Sequence, residues 1–187
     1  SVDGVEFDTW VYSPGRMVNG KFILQPQVRG VPVVILFHGG PESQFRPRFM
    51  GRYNYLISEE RIALLCPNVR GSRGYGKRHL KADNGMGRAL VMLDVQRLRN
   101  AISADSYFDA NRIAVMGGSY GGFMTLHSMV VLNNFVKCGV DVVGISNFVT
   151  FLKNTSDYRR DLRRVEYGDE RDPKMRKFLQ ELSPLTH

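Results

Sequence analysis

The sequence lacks long apolar runs. No run approaches the roughly 20 residues that a membrane-spanning helix requires. The first residues, SVDGVEFDTW, also lack the basic-then-apolar pattern of a signal segment. We therefore expect a soluble protein without membrane partners, and we favour the cytoplasm as its compartment.

Cysteine is scarce, with two residues, Cys66 and Cys138, that lie far apart in the chain. Each stands beside an apolar run, where a buried free thiol is more common than a disulfide. The spacing of histidine, cysteine and aspartate forms no ligand set for a metal ion. We predict two buried thiols, no metal and no organic cofactor.

Acidic residues are outnumbered, with 18 Asp and Glu against 26 Lys and Arg and a net charge of +8. Such an excess can mark a nucleic-acid-binding protein. However, an acid interrupts the densest basic segment, RRDLRR at Arg159 to Arg164, and no DNA- or RNA-binding motif accompanies it. We interpret this segment as a solvated helix face and expect no nucleic-acid partner.

A length of 187 residues suits one domain, which we predict over residues 1–187. Short apolar runs predict strands, and the middle ones are apolar throughout, as in a parallel sheet covered on both faces. The predicted strands are Val5 to Tyr12, Pro32 to Phe37, Ile62 to Cys66, Arg112 to Met116 and Cys138 to Ser146.

Helical patterns separate these strands. In Met86 to Ser103 an apolar stripe recurs at spacings of three and four, and similar patterns follow Ser119 and end at Leu182. This alternation predicts an α/β fold with a mostly parallel sheet and helices on both faces. Three loops, HGGPESQ, PNVRGSRGYGK and GGSYGG, then follow strand ends, where ligands bind in such folds.

The segment AVMGGSYGGFM places Ser119 between glycines, directly after a predicted strand and before a predicted helix. Gly117, Ser119 and Gly121 match the G-x-S-x-G nucleophile elbow, in which a strained turn exposes a reactive serine. The tight turn leaves no room for a Cβ two residues on either side of the serine. We therefore predict that Ser119 is a nucleophile, with a purely structural glycine turn as the alternative.

Other glycine motifs do not fit the spacing. A phosphate-binding P-loop would need Lys at position 123, where this chain has Phe, and a dinucleotide fingerprint would need Gly in place of Ser119.

Hydrolases with a nucleophile elbow stabilise the oxyanion with two backbone amides. The candidate donors are the amides of Tyr120 and of Gly39 or Gly40 in HGGP, and we interpret His38 as a residue that fixes this loop.

Five ordered blocks, among them PVVILFHGGPESQFRPRF, PNVRGSRGYGK, DANRIAVMGGSYGGFM and ELSPLTH, resemble the catalytic domain of the prolyl oligopeptidase family of serine peptidases. The resemblance implies an α/β-hydrolase fold, short peptide substrates and an N-terminal β-propeller in the full-length protein. Because His38 stands where proline-specific members have a tyrosine, the chain is similar to the acylaminoacyl-peptidase branch. A homo-oligomer is left open.

The same resemblance implies roles for individual residues. Ser119 would be the nucleophile, Tyr120 an oxyanion donor and part of the S1 wall, and the glycines of the HGG loop the other donors. In relatives the segment after Ser146 contributes aromatic residues to S1, and Phe148 and Phe151 match best. Core packing is an equal alternative for these two phenylalanines.

The remaining members of a catalytic triad are not evident. In this fold an acid and then a histidine follow the serine, and only His127 and His187 do so here. His127 lies eight residues along the same helix, about 12 Å away by helical rise. His187 matches a non-catalytic position of the family. We interpret the chain as C-terminally truncated, lacking the last strands with the triad acid and histidine, and expect it to be inactive alone.

The sequence leaves three alternatives for the function of the parent protein. A serine peptidase acting through an acyl-enzyme on Ser119 is the leading prediction for the parent protein. A carboxylesterase could use the same elbow and amides. A non-catalytic pseudoenzyme is the third.

Overall fold

The computed structural model describes residues 3–19, 21–24 and 29–187, which include seven strands and seven helices. The strands are β1 (Thr9–Tyr12), β2 (Gly15–Val18), β3 (Lys21–Leu24), β4 (Val31–Phe37), β5 (Ala63–Pro67), β6 (Phe108–Gly118) and β7 (Val136–Val142). The helices are α1 (Asn54–Ser58), α2 (Gly76–Leu80), α3 (Val91–Ala104), α4 (Tyr120–Val131), α5 (Phe148–Asn154), α6 (Asp157–Tyr167) and α7 (Pro173–Leu182). Short 3-10 turns cover Gly51–Tyr53, Gly85–Leu90 and Pro184–Thr186.

Five strands form one sheet in the order β1-β5-β4-β6-β7. β5, β4, β6 and β7 are parallel, and β1 pairs antiparallel with β5. This confirms the predicted mostly parallel sheet. β2 and β3 form a separate hairpin that the apolar pattern did not predict, because each has only four residues.

Both faces of the sheet are covered, as predicted. On one face, Val33, Ile35 and Val115 pack with residues of α3, α4, α5 and α7. On the other face, Val34, Leu36 and Leu64 form a smaller cluster with residues of α1 and its flanking turn. The parallel strands therefore bury side chains on both sides, which explains their continuous apolar character.

All five predicted strands have different bounds in the structure, and three of them differ by more than one residue at an end. The first strand is Thr9–Tyr12 instead of Val5 to Tyr12, and β6 spans Phe108–Gly118 instead of Arg112 to Met116. The last ends at Val142, because Val143 has a φ of 50° and cannot continue an extended strand. The predicted helix from Met86 begins as a 3-10 turn, and its α-helical part starts at Val91.

The prediction for Cys138 was wrong. Cys66 is fully buried, but Cys138 is exposed on β7. β7 is the edge strand of the described sheet, with β6 as its single neighbour there, and Val140 and Val142 are each 52% exposed on it. An apolar sequence pattern does not reveal whether another element covers a strand.

The basic segment lies in α6 and is partly neutralised by the chain's own acids. Arg163 pairs with Glu166 at 3.0 Å, and Arg164 pairs with Glu170 at 2.5 Å. Arg164 also contacts Asp161 at 3.0 Å. Glu170 follows the end of α6 at Tyr167. The segment is therefore only partly a solvated helix face, since Asp161 and Leu162 are exposed while Arg163 and Arg164 are half-buried. Among the described residues, no helix is long and apolar enough to cross a membrane.

The two thiols should differ in reactivity. Burial raises the pKa of the Cys66 thiol to about 12, so at pH 8 about one such thiol in 10⁴ is ionised, and alkylation requires the thiolate. We expect iodoacetamide at pH 8 to modify Cys138 in the native chain and to modify Cys66 only after unfolding in guanidinium. Peptide mass spectrometry measures both sites, and rapid alkylation of Cys66 in the native chain would contradict this.

Candidate active site

Ser119 occupies the turn between the end of β6 and the start of α4. Its φ of 56° and ψ of −118° lie outside the regions that L-residues ordinarily adopt. The backbone N–H of Ser119 donates to the carbonyl of Val142 at 3.0 Å, which ties the turn to the end of β7. Ser119 is exposed at the carboxyl end of the sheet. The turn therefore has the shape that the elbow motif predicts.

The flanking glycines are required by close backbone contacts. A Cβ on Gly117 would overlap the backbone of Gly121, and a Cβ on Gly121 would overlap the carbonyl of Phe37 at the end of β4. Neither neighbour is a flexible side chain that could move aside. These contacts allow the first turn of α4 to pass directly over two strand ends.

Backbone from two segments lies close to the serine. Tyr120 is the first residue of α4, so its N–H has no carbonyl partner within the helix. Gly39 lies beside the elbow, since a Cβ built on it would stand 3.7 Å from Cβ of Ser119 and 3.4 Å from the carbonyl oxygen of Gly118. Gly40 has a φ of 127°, which favours glycine. The loop His38 to Pro41 therefore adjoins Ser119. Because the sequence predicts an oxyanion donor in it, this loop is called the oxyanion loop below.

His38 holds the oxyanion loop. Its Nδ1 lies 2.7 Å from the carbonyl oxygen of Gly39, which can only accept, so Nδ1 carries the proton. Its Nε2 lies 2.8 Å from Oγ of Ser72, in the loop after β5. Burial lowers the pKa of His38, which favours the neutral ring that can donate at Nδ1 and accept at Nε2. Both ring nitrogens are therefore engaged away from Ser119.

A cavity of about 260 Å³ opens beside Ser119. It is formed by the segment after β7 and by α5, and its lining includes Ser146, Asn147, Thr150, Phe151 and Asn154. Asn147 caps α5, because its side chain accepts from the N–H of Thr150 at 2.9 Å. The cap sets the start of α5 and so the position of this wall.

The aromatic residues expected at S1 occupy different environments. Phe151 lines the cavity beside Ser119. Phe148 is fully buried and packs its ring 4.7 Å from that of Phe123, centroid to centroid. The ring of Tyr120 is also buried, at 1% exposure. These positions favour Phe151 as a surface contact and core packing for Phe148 and the Tyr120 ring.

A second, larger cavity of about 590 Å³ is lined in part by Gly117, Gly118 and Gly39. Its rim carries four arginines, and no carboxylate lines it. They are Arg46, Arg48, Arg52 and Arg73. The surroundings of the elbow are therefore positively charged on this side.

No histidine forms a hydrogen bond with Ser119 in the described part of the chain. His127 is 7% exposed and stacks on Phe123 with ring centroids 5.3 Å apart, and burial lowers its pKa to about 4. Nε2 of His187 donates to the carbonyl of Glu181 at 2.8 Å. These positions agree with the expectation that neither histidine following the serine acts as its base.

Four residues near the site carried no sequence signal. Val143, a β-branched residue at a φ of 50°, lines the small cavity next to Ser119. Asp83, Arg88 and Tyr167 form a buried cluster under Tyr120. Tyr167 is far in sequence from Asp83 and Arg88, so periodicity within one segment could not have grouped the cluster.

Comparison with known proteins shows relatives of this chain. The chain is 35% identical over 159 residues to dipeptidyl aminopeptidase BIII of Pseudoxanthomonas mexicana, covering 83% of this chain and 23% of that protein. It is 32% identical over 124 residues to the acylamino-acid-releasing enzyme of Sus scrofa, covering 66% of this chain and 16% of the enzyme. The chain thus spans less than a quarter of the length of these relatives.

Solved structures share the fold. A puromycin hydrolase superposes with a TM-score of 0.80 at 23% identity, over 98% of this chain and 27% of that one. An acylaminoacyl peptidase of Pyrococcus horikoshii superposes with a TM-score of 0.78 at 23% identity, over 98% of this chain and 28% of that one. This likeness confirms the predicted α/β-hydrolase fold. The model of the prolyl oligopeptidase family matches residues 47–187, and the chain belongs to that family.

Proposed function

We propose that this chain carries the nucleophile and oxyanion donors of a serine peptidase that cleaves short peptides through an acyl-enzyme. Ser119 is the nucleophile, and the amides of Tyr120 and of Gly39 or Gly40 receive the oxyanion. The observation that carries the proposal is the exposed Ser119 at a φ of 56°, with Gly39 packed beside it.

The reaction uses these groups in two steps. Oγ of Ser119 attacks the scissile carbonyl carbon as a base removes its proton, and the carbonyl oxygen becomes an oxyanion that accepts from the backbone amides. The peptide C–N bond then breaks, the amine leaves with a proton, and an ester remains on Ser119. Water hydrolyses this ester by the same route and restores the hydroxyl.

The start of α4 supports the oxyanion role. The N–H groups of the first helical turn and the helix dipole place partial positive charge at Tyr120. These donors belong to the rigid backbone, so they need little reorganisation when negative charge develops. Loss of one such donor typically lowers the rate by about 10² to 10³.

The general base and its acid partner belong, in this proposal, to residues of the parent protein outside this chain. All four histidines of the sequence lie in the described residues, and none bonds Ser119. An unactivated serine hydroxyl is a weak nucleophile. We therefore propose that the 187 residues alone have little activity.

The names of the relatives and the size of the small cavity support short peptides as the substrate class. Relatives bear names of dipeptidyl and acylaminoacyl peptidases. The cavity beside Ser119, with Phe151 in its wall, has a volume of about 260 Å³, enough for a single side chain rather than an extended ligand. We propose Phe151 as the S1 aromatic of this chain, with Phe148 supporting it from the core.

Active-site labelling tests the nucleophile. We expect a fluorophosphonate to modify Ser119 in the full-length protein, since Oγ displaces fluoride when a base activates it, and Ser119→Ala to remove both labelling and peptide hydrolysis. Mass spectrometry of the labelled peptide locates the adduct. Modification of another serine with Ser119 intact would refute the assignment.

The 187-residue chain is the control for that experiment, and we expect labelling of Ser119 in it to be at least about 10³-fold slower because the base is absent.

Hydrolysis rates of the full-length protein on an acylated amino-acid amide and on a simple aryl ester distinguish a peptidase from an esterase. Cleavage of the ester alone would count against the peptidase.

The elbow glycines allow a matched comparison. Gly121→Ala should lower labelling of Ser119 in the full-length protein by about 10²-fold or more, because the new Cβ displaces the backbone near Phe37 and misplaces the hydroxyl. Gly118→Ala is the control, since its Cβ would lie 3.4 Å from the carbonyl oxygen of Val142, an ordinary contact. Equal labelling rates in the two variants would contradict this reading of the turn.

A further inference from the structure

A buried ionic cluster lies under the elbow and has no part in the chemistry proposed so far. Arg88 is fully buried, and its Nη1 donates to Oδ2 of Asp83 at 2.8 Å. Its guanidinium carbon stands 5.0 Å from the ring centroid of Tyr120 and 4.4 Å from that of Tyr167. Arg88 therefore contacts both rings and joins the start of α4 to the end of α6.

This cluster is costly to bury. Asp83 is also fully buried, and its Oδ1 and the Nε of Arg88 have no hydrogen-bond partner. Desolvation of such a pair can outweigh its Coulombic attraction, so buried ion pairs are weak evidence for stability. Their better-attested use is to hold neighbouring groups in one arrangement.

Tyr167 connects the cluster to the oxyanion loop. Its hydroxyl donates to the carbonyl oxygen of Gly40 at 3.0 Å, across 127 positions of sequence. Burial raises the pKa of Tyr167, so the hydroxyl keeps the proton that it donates. Arg88 also donates through Nη2 to the carbonyl of Glu166, the residue before Tyr167, at 3.2 Å. Arg88 thus contacts the ring of Tyr167 and also bonds the backbone next to it.

The oxyanion loop then has two consecutive carbonyls restrained. Nδ1 of His38 donates to the carbonyl of Gly39, which shares a rigid peptide plane with the N–H of Gly40. Tyr167 donates to the next carbonyl, that of Gly40. Gly40 has no side chain to restrict it and adopts a φ of 127°. The bond from His38 restrains the peptide plane that carries the Gly40 N–H, and the bond from Tyr167 restrains the carbonyl on the other side of Gly40.

We propose that Tyr167, held by Arg88, is a positioning residue for the oxyanion loop. It touches no reacting atom. Its hydroxyl restrains the carbonyl of Gly40, and through it the Gly39 and Gly40 amides that receive the oxyanion. The inference rests on the proposed function and adds two residues from distant segments to it.

The test compares two tyrosine hydroxyls in the full-length protein. Tyr167→Phe removes the bond to Gly40 and keeps the ring against Arg88. Tyr107→Phe is the control, because its hydroxyl also donates to a backbone carbonyl, that of Pro14 at 3.1 Å, but outside the site. The measurements are kcat and KM on an acylated aminoacyl anilide and the inhibition constant of a peptide aldehyde.

We expect Tyr167→Phe to lower kcat about tenfold, less than loss of a whole donor, with KM within about twofold of wild type. The aldehyde, whose adduct places an oxyanion in the same hole, should bind about tenfold more weakly. Tyr107→Phe should change neither quantity. An unchanged kcat in Tyr167→Phe, or a higher KM with kcat intact, would overturn the proposal.

A double-mutant cycle tests whether Arg88 acts by holding Tyr167. Arg88→Lys keeps the charge but loses the planar group that lies against both rings. If Arg88 acts through Tyr167, adding Arg88→Lys to Tyr167→Phe should lower kcat little further. Losses that multiply independently would show that Arg88 does not act through this hydroxyl.

Hydrogen exchange separates this proposal from the proposed function. The backbone amides of residues 38–40 should exchange faster in Tyr167→Phe than in wild type and Tyr107→Phe, whether or not the protein is a peptidase. If wild type fails to hydrolyse peptides while exchange accelerates, the function is wrong and the positioning role stands. If activity is present and neither exchange nor kcat changes, the positioning role is wrong.

Discussion

The site depends on one steric constraint, the approach of two glycine backbones that leaves no space for a Cβ. Gly121 touches the carbonyl of Phe37, and Gly117 touches the backbone of Gly121. These contacts hold the first turn of α4 against the ends of β4 and β6, and Ser119 can then keep a φ of 56°. Since such a conformation is unfavourable for serine alone, the surrounding packing must stabilise it.

A second set of contacts holds the oxyanion loop beside that turn. Asp94 on α3 accepts from the backbone and guanidinium of Arg70, at distances from 2.6 to 2.9 Å. Arg70 lies two residues before Ser72, whose hydroxyl meets His38. The loop after β5 is thereby anchored on α3 and in turn supports His38. Tyr167 approaches the same oxyanion loop from α6. The loop is therefore restrained by buried polar groups from several elements.

Much of the architecture could be predicted from the sequence. Apolar runs such as PVVILF indicate strands buried on both faces, and the structure places that run in β4, between β5 and β6. The elbow was also predictable, because a backbone without room for Cβ leaves glycine at fixed offsets from the serine. The assignments for Cys138 and for the bounds of β1, β6 and β7 were wrong. Each depends on what covers a residue or on where a strand's pairing with its neighbours begins and ends.

The sequence by itself determined the alternation of the sheet's strands with helices, the parallel class of the sheet and the place of the glycine-flanked turn at Ser119. These follow from local periodicity and from backbone geometry over a few residues. The tertiary structure alone decided that Phe151 lines the cavity while Phe148 is buried, and that Tyr167 bonds Gly40. The physical reason is that a side chain's surroundings are created when distant segments pack, and no short pattern specifies which segments will meet.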